Sequence, residues 1–277
     1  DKTNLSAPLL NESSGLTFIN GKLWTFNDSG NANDIYRVDT STNTVNQTVD
    51  ISNATNTDWE DMTSNNDYLF IGDFGNNNGN RKDLRIIKFP LSELDQDTVY
   101  SVSVMTFKYE DQTDFTSEPQ ATNYDAESLM VLGDSLFVFS KNWKNLKSRI
   151  YALPKSFNNY SATVKDSIST NGLITGADFL KYENIVVLCG YNKLVQPFIY
   201  MFWDYKNNDF TKGNRRRINL NLPLRQIEGI VFNNIKQVYL SNESLTNDIL
   251  NIKAAFYQID LTEWIKASVI ISIKDYK

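Results

Sequence analysis

Three acidic segments of the sequence share one arrangement of residue types. They are Asp58–Met62 (Asp-Trp-Glu-Asp-Met), Asp125–Leu129 (Asp-Ala-Glu-Ser-Leu) and Gln226–Ile230 (Gln-Ile-Glu-Gly-Ile). In each segment the glutamate lies 13 residues before the small polar residue that closes the next apolar run, from 60 to 73, from 127 to 140 and from 228 to 241. Carboxyl groups can transfer protons or bind hard cations. Glu60, Glu127 and Glu228 are therefore the residues best suited to chemistry.

The composition limits what that chemistry can be. The chain has 277 residues, with 27 Lys and Arg, 33 Asp and Glu, one Cys and no His. The absence of His excludes Ser-His-Asp and Cys-His nucleophiles and His-ligated catalytic zinc, so any catalysis must use carboxylates, Lys or Tyr. A net charge of −6 argues against nucleic acid as a partner, because that needs a basic footprint. No apolar run approaches the roughly 20 residues of a membrane-spanning helix, so we expect no direct membrane span.

The 13-residue spacing also joins Ser14 to Asn27 and Ala177 to Gly190, which makes five copies about 50 residues apart. Each copy continues into two more strand-like runs, and Val269–Ile273 is predicted as the last of these. A β-sandwich would explain the alternation of residue types but not the fixed spacing. We therefore predict an all-β fold, a single β-propeller over residues 1–277 with five four-stranded antiparallel blades, six being possible. The predicted repeats lie near 11–52, 56–109, 123–169, 173–221 and 225–274.

In a propeller the first strand of each blade lines the central channel, so repeat-equivalent residues converge at one mouth. The expected metal-ligating residues are Glu12, Asp58, Glu60, Asp125, Glu127, Asp178 and Glu228. Calcium is the expected ion, because it accepts six to eight oxygen ligands in loose geometry. Two alternatives stay open. The acids could bind backbone amides or pair with cations such as Lys141 and Arg225, or Glu60, Glu127 and Glu228 could be catalytic carboxyls, as in glycosidases.

Two loops rich in Asn and Gly, 27–34 and 72–83, occupy the same place in the first two repeats. We expect them to emerge on one face, where a protein partner could be recognised. The candidate partner-binding residues are Asp28, Asn31, Phe74, Asn77 and Trp143. The tryptophans Trp143, Trp203 and Trp264 could instead stack on sugar.

These segments together resemble exported β-propeller proteins of Bacteroidota, described as phytase-like or SdiA-regulated-like propellers. The resemblance rests on Asn27–Gly30, Asp58–Met62, Ile71–Asn77, Ala126–Leu129, Thr175–Asp178 and Ile227–Ile230. It implies an envelope or extracellular location, and some relatives look like the soluble plug on the periplasmic side of a type IX secretion translocon. Phytase activity is not expected, because Ala177 and Gln226 stand at repeat-equivalent positions.

The function predicted from the sequence is a non-enzymatic protein-binding module of the bacterial envelope. It would be a periplasmic plug or an accessory subunit of an outer-membrane protein secretion translocon, with an outer-membrane β-barrel as its partner. The alternative is a calcium-assisted, carboxylate-dependent hydrolase of a phosphoester, ester or glycan at the channel mouth. A third possibility is a carbohydrate-binding propeller. Because position 1 is Asp, we expect a removed leader, which points to export. The resemblance implies a location in the periplasm or at the extracellular face of the outer membrane.

Overall fold

The computed structural model describes residues 2–4, 9–246 and 251–265. Within these residues the chain is all-β, with twenty-three strands, two short 3-10 helices and one helical turn at 262–265. The predicted fold class, a propeller of four-stranded antiparallel blades, is confirmed. Among the described residues, no helix has the length and apolar character needed to cross a membrane.

The strands form five blades. The first strand of the chain is β1 (Lys2–Asn4). Blade 1 contains β2 (Ser13–Ile19), β3 (Lys22–Asn27), β4 (Asp34–Asp39) and β5 (Thr44–Ile51). Blade 2 contains β6 (Trp59–Ser64), β7 (Tyr68–Asp73), β8 (Leu84–Pro90), the 3-10 helix Leu91–Glu93 and β10 (Ser103–Tyr109). The short strand β9 (Thr98–Val99) lies between that helix and β10 in the chain, and it pairs with β5 of blade 1. Blade 3 contains β11 (Asp125–Leu132), β12 (Ser135–Lys141), β13 (Lys147–Pro154) and β14 (Asn159–Ser169).

The last two blades differ in how their outer strand is supplied. Blade 4 contains β15 (Leu173–Leu180), β16 (Ile185–Tyr191), β17 (Pro197–Trp203), the 3-10 helix Phe210–Lys212 and β18 (Asn214–Asn219). Blade 5 contains β19 (Ile227–Asn234), β20 (Gln237–Asn242), the two-stranded ribbon of β21 (Leu245–Thr246) and β22 (Asn251–Ile252), and β23 (Ala255–Asp260). Strand β1 pairs antiparallel with β23, so the start of the chain supplies the fourth strand of blade 5. The run predicted for that role, Val269–Ile273, lies outside the described residues.

The five inner strands, β2, β6, β11, β15 and β19, form a closed ring in which each packs against the next and β19 packs against β2. Hydrogen bonds join neighbouring blades. The hydroxyl of Ser14 donates to the carbonyl of Glu60, the hydroxyl of Thr175 donates to the carbonyl of Ile227, and that of Ser241 donates to the carbonyl of Ser14 over 3.2 Å. The ring therefore closes with five blades.

Every inner strand contains a β-bulge near its start, and four of these bulges insert a single residue, namely Glu60, Glu127, Thr175 and Glu228. In β2 the irregularity lies between Ser13 and Leu16. A bulge leaves one residue unpaired and re-aims its side chain. The equivalent of the three glutamates in blade 4 is therefore Thr175. The 13-residue spacing had indicated Ala177 instead. The β15–β16 hairpin has four loop residues where blades 1, 3 and 5 have two, so the fixed spacing falls two residues too late in blade 4.

The inner strands approach each other closely just after the bulges. A Cβ atom on Gly229 would lie 2.5 Å from the carbonyl oxygen of Ser14, so only glycine fits there. In blade 2 the equivalent residue is Asp61, which is fully buried. Its Oδ1 accepts the N–H of Met62 at 2.8 Å, and its Oδ2 accepts the N–H groups of Leu129 at 2.9 Å and Ala177 at 3.3 Å. One carboxylate thus connects blades 2, 3 and 4.

The hydrophobic core lies between neighbouring blades. Phe26 of blade 1 meets Trp59 of blade 2 edge-to-face, with ring centroids 5.4 Å apart. Phe137 of blade 3 meets Phe210 of blade 4 in the same geometry at 5.6 Å. Burial of each such ring contributes roughly 1.5–3 kcal/mol, so this packing holds the channel mouth in a fixed shape.

Candidate functional site

Two sets of side chains meet where the inner strands begin and the second strands end. The first set is the three bulged glutamates, Glu60, Glu127 and Glu228. The second set follows the residue of each second strand that pairs with the residue just before the bulge. Its members are Asp28, Phe74, Lys141, Tyr191 and Glu243. Except for Phe74, this second set places polar groups beside the glutamates. We call this place the acidic mouth, comprising both sets without Phe74, together with Asp58 and Asp125.

Asp28, Asp58 and Glu60 form a compact group of carboxylates. One oxygen from each lies within 4.8 Å of the others. Burial raises the pKa of Asp28 to about 7. Burial, and then repulsion from Asp125, raises the pKa of Asp58 to about 6. The backbone of Gly75 closes against this group, since a Cβ atom there would lie 2.0 Å from Glu60 Oε1. The arrangement is a tight oxygen-lined cradle of the kind that suits a hard cation.

Lys141 is the buried cation of the mouth. Its Nζ lies 3.1 Å from Glu127 Oε2, and both side chains are almost completely buried. Glu127 raises the pKa of Lys141 well above its usual range, against the effect of burial. The ammonium also lies 5.0 Å from the ring centre of Trp143 and 5.6 Å from that of Tyr191. The lysine is therefore charged and fixed between aromatic rings.

The two oxygens of Glu127 differ in their surroundings. Oε2 is held by Lys141, whereas Oε1 is buried and has no hydrogen-bond partner among the described residues. Burial raises the pKa of Glu127, and the Lys141 ammonium opposes that shift. A buried acceptor without a partner is costly. Glu127 Oε1 is thus an oriented atom free to interact with a ligand or water.

Glu228 and Glu243 also lie within electrostatic range of Lys141. Burial raises the pKa of Glu228 to about 8, with Lys141 opposing the shift. Burial, and then repulsion from Asp28, raises the pKa of Glu243 to about 7. Because Lys141 contacts Glu127 directly, the single ammonium favours ionised Glu127 over ionised Glu228. The ammonium therefore lowers the cost of ionising Glu127 more than that of ionising Glu228.

Asp125 is held too firmly to act as a free ligand. It is fully buried and accepts the backbone N–H of Asn76 at 2.7 Å and the indole N–H of Trp143 at 2.7 Å. Burial raises its pKa, and the charge of Lys141 opposes the shift. Asp125 therefore positions Trp143 and, through Asn76, the 72–83 loop beside the mouth.

Two of the predicted ligands do not belong to the carboxylate group of Asp28, Asp58 and Glu60. Glu12 is at the exposed rim, where its Oε2 accepts from the amide of Asn31 at 2.7 Å. Asp178 lies three residues beyond the bulge of β15, and its Oδ2 accepts the N–H of Phe232 at 2.7 Å. It lines a cavity at the opposite end of the inner strands. The spacing that assigned Asp178 to the mouth was two residues out of register, because of the longer β15–β16 hairpin.

The residues predicted to recognise a protein partner make different contacts within this chain. Phe74 is fully buried and packs edge-to-face on Phe107 at 6.3 Å, so no partner can reach it. Asp28 belongs to the carboxylate group, and Trp143 binds Asp125. The carbonyl of Asn77 accepts the N–H of Gln120, in the segment between β10 and β11, at 2.8 Å, and Asn31 binds Glu12.

The two cations proposed as counter-charges for the acids have different kinds of partner. Lys141 pairs with Glu127 as predicted, whereas Arg225 donates to the hydroxyl of Tyr257 at 2.8 Å. Sequence reasoning missed Tyr191 and Glu243, and it assigned Asp28 to a loop. The signal for Asp28 and Tyr191 was available, because each directly follows the closing residue of its repeat, Asn27 or Gly190, whereas Glu243 lies two residues after Ser241.

No protein-family model matches this sequence, and no curated protein sequence matches it. Among solved structures, the chain is similar to a GH43 β-1,3-galactosidase solved with galactodeoxynojirimycin, with a TM-score of 0.51 and 10% identity over 89% of this chain and 89% of that chain. It is also similar to a gluconolactonase from Xanthomonas campestris, with a TM-score of 0.47 and 11% identity over 91% of this chain and 73% of that chain. Both are β-propeller-like. The likeness to the galactosidase supports the propeller fold.

Proposed function

We propose that this propeller is a carboxylate-dependent hydrolase of neutral glycosides, with its active site at the acidic mouth. The observation that carries the proposal is the Glu127–Lys141 contact. It fixes one oxygen of a buried carboxylate and leaves the other, Oε1, without a partner. Glu228, whose pKa burial raises to about 8, supplies a second carboxyl near the same lysine. Two carboxyls held in different states are what glycoside hydrolysis requires.

The roles follow from these environments. Glu228 gives its proton to the glycosidic oxygen as the bond between that oxygen and the anomeric carbon breaks. Glu127 Oε1 accepts a proton from a water molecule whose oxygen bonds to the anomeric carbon. Proton exchange with solvent then restores both carboxyls. Lys141 is a positioning residue, since it acts by holding Glu127 ionised and oriented.

The charge of the mouth favours a neutral substrate. The mouth contains one buried lysine, Lys141, and seven carboxyl side chains, those of Asp28, Asp58, Glu60, Asp125, Glu127, Glu228 and Glu243. A phosphoester would be repelled by such a site, whereas a sugar hydroxyl can donate hydrogen bonds to it. The name of the galactosidase that shares the fold suggests β-galactosides as the first substrates to test.

The same proposal includes one calcium ion held by Asp28, Asp58 and Glu60. The three oxygens within 4.8 Å of one another, and the close approach of Gly75, fit a small hard cation. When bound, calcium neutralises part of the negative charge of the mouth and can orient sugar hydroxyls. The protein residues carry out the proton transfers described above.

Hydrolysis is tested with p-nitrophenyl β-D-galactoside and β-1,3-galactobiose, comparing Glu127→Gln, Glu228→Gln and the matched control Glu110→Gln. Glu110 is exposed on the outer face of blade 2. We expect each mouth variant to lower kcat by about 10²–10⁴-fold with its far-UV circular dichroism preserved at the assay temperature, and the control to match wild type. Glu127→Gln should also lower the melting temperature, because it leaves the buried Lys141 without its counter-charge. Folded wild-type protein that releases no sugar from a panel of neutral glycosides would refute the proposal.

Calcium is tested separately by thermal unfolding in EDTA and in CaCl₂. At a calcium concentration 100 times the Kd, binding stabilises the fold by about 2.7 kcal/mol, which raises the Tm by roughly 5–10 °C in a chain of this size. Asp58→Asn should abolish that rise, whereas Asp134→Asn, a change of an exposed carboxylate in the β11–β12 hairpin, should leave it intact. Equal Tm values in EDTA and CaCl₂ would remove calcium from the proposal and leave the carboxyl chemistry standing.

The protein-binding module remains a second proposal, together with its envelope location and an outer-membrane β-barrel as the partner. It is supported by the sequence resemblance. The burial of Phe74 and the use of Asp28 and Trp143 inside the mouth reduce the loop surface that it requires. A pull-down from native envelopes tests it. Recovery of a large β-barrel by wild type and by Glu127→Gln alike would favour the module over the hydrolase.

A further inference from the structure

A cavity of about 740 Å³ lies at the end of the inner strands opposite the acidic mouth. Its walls come from the inner hairpins of blades 1, 2, 3 and 4. We call it the hairpin cavity. Its principal lining residues are Phe18, Asn20, Asn65, Asn66, Phe179 and Tyr182.

Two of the hairpins are longer than the propeller needs. Blades 1, 3 and 5 join their first two strands with two residues, whereas blade 2 uses three and blade 4 uses four. Both longer hairpins line the cavity. The blade 4 hairpin carries Tyr182, whose side chain is 94% exposed. The extra residues extend the cavity wall and present an aromatic ring that contributes nothing to the core.

The lining combines aromatic rings with side-chain amides. Phe18 and Phe179 are partly buried at the wall, and Tyr182 stands at its rim. Asn65 Oδ1 accepts the backbone N–H groups of Asp67 and Tyr68, which fixes the side chain and leaves its NH₂ group to donate. Aromatic rings pack against the C–H faces of sugar rings, and amides bond to sugar hydroxyls, which both donate and accept.

The charges of the hairpin cavity balance. Lys155 and Lys181 line it together with Asp67 and Asp178. A strongly charged ligand would gain little from such a lining, whereas a neutral polar ligand meets no net repulsion. The lining therefore favours a neutral sugar over a phosphate or a uronic acid.

We propose that the hairpin cavity binds a neutral glycan chain, as a binding site separate from the acidic mouth. Its aromatic residues differ from the tryptophans expected from the sequence, since Trp203 is buried and Trp143 binds Asp125. The proposal does not rest on hydrolysis, because the two sites lie at opposite ends of the channel and share no residue.

Affinity electrophoresis tests it in native gels that contain laminarin, a neutral β-1,3-glucan, hydroxyethylcellulose or the anionic polysaccharide alginate. The variants are Tyr182→Ala and the matched control Tyr100→Ala, which removes a tyrosine that is 72% exposed and away from the cavity. One stacking contact contributes about 0.5–1.5 kcal/mol, so Tyr182→Ala should raise the Kd for the retarding neutral glycan roughly three- to tenfold. Tyr100→Ala and Glu127→Gln should bind like wild type, and the latter result separates this site from the hydrolase.

Three results would overturn the proposal. They are the absence of retardation by either neutral polysaccharide, retardation by alginate alone, and equal retardation of Tyr182→Ala and wild type. A fold check by circular dichroism accompanies each variant, although a change at an exposed hairpin residue is expected to leave the core intact.

Discussion

The buried carboxylate of Asp61 gives the sharpest test of how the ring of inner strands is held. Asp61→Asn keeps the size of the side chain and replaces one acceptor oxygen by an NH₂ group. In the folded protein the two oxygens accept three backbone N–H groups, from Met62, Leu129 and Ala177. The asparagine can accept on one side alone, so at least one buried N–H loses its partner and the NH₂ group faces an N–H donor.

The magnitude follows from the number of groups left without partners. A buried donor without an acceptor costs about 1–3 kcal/mol, and here at least two are created, the freed backbone N–H and the new amide N–H. The expected loss in the free energy of unfolding is therefore about 2–5 kcal/mol. In a domain of this size that corresponds to a Tm lower by roughly 5–15 °C.

Urea denaturation followed by tryptophan fluorescence, with differential scanning calorimetry, measures the loss. The matched control is Asp134→Asn, since Asp134 is fully exposed and its pair with Lys155 is weak. It should change stability by less than about 0.5 kcal/mol. If Asp61→Asn unfolds within about 0.5 kcal/mol of wild type, the carboxylate does not connect the three blades and the ring is held by apolar packing alone.

Two further predictions concern the acidic mouth. Lys141→Met leaves the buried Glu127 without its counter-charge and should lower the free energy of unfolding by about 3–5 kcal/mol. In urea denaturation the double variant Lys141→Met/Glu127→Gln should regain part of that loss. If its loss in the free energy of unfolding equals the sum of the losses in the two single variants, the pairing of Lys141 with Glu127 is contradicted. Burial raises the pKa of Glu228 to about 8 and that of Glu243 to about 7, so the folded state keeps protons that the unfolded state releases above about pH 4. In EDTA the Tm should fall as pH rises from 5 to 8, and this fall should be less steep in Glu228→Gln. The kcat should decline above about pH 8, because Glu228 then loses its proton. A Tm that rises over this interval would contradict the assigned protonation states.

The fold could be predicted because each repeat has a local pattern of residue types that is visible in the sequence. The spacing from the glutamate to the closing residue spans a single β-hairpin, so it indicates the first two strands of a blade directly. It failed in blade 4, where two extra hairpin residues moved the true equivalent from Ala177 to Thr175. The use of β1 as the outer strand of blade 5 was beyond prediction from spacing, because it depends on a pairing between the two ends of the chain.

The site was predicted in part for a related reason. The bulged glutamates occupy repeat positions that sequence alignment of the repeats can find. Asp28 and Glu243 lie one residue past the second strand and Tyr191 is the last residue of β16, and the three differ in type from blade to blade. The burial of Phe74 at the same position was not evident, because a Gly-rich flanking sequence suggests exposure, whereas the ring packs on Phe107.

The differences between blades explain how a repeated fold builds one asymmetric site. At the bulge of blade 4, Thr175 has a hydroxyl that donates to the backbone of the next blade, and Ser14 makes the same kind of bond from blade 1. The longer carboxyl side chains of Glu60, Glu127 and Glu228 lie in the mouth instead. The blades that carry hydroxyls therefore bond to their neighbours, whereas the blades that carry glutamates supply the chemistry. It follows that Glu60→Ser should be tolerated by the fold, because serine at that position can adopt the bond that Ser14 makes, while the carboxylate group that includes Asp28 and Asp58 would lose its buried member.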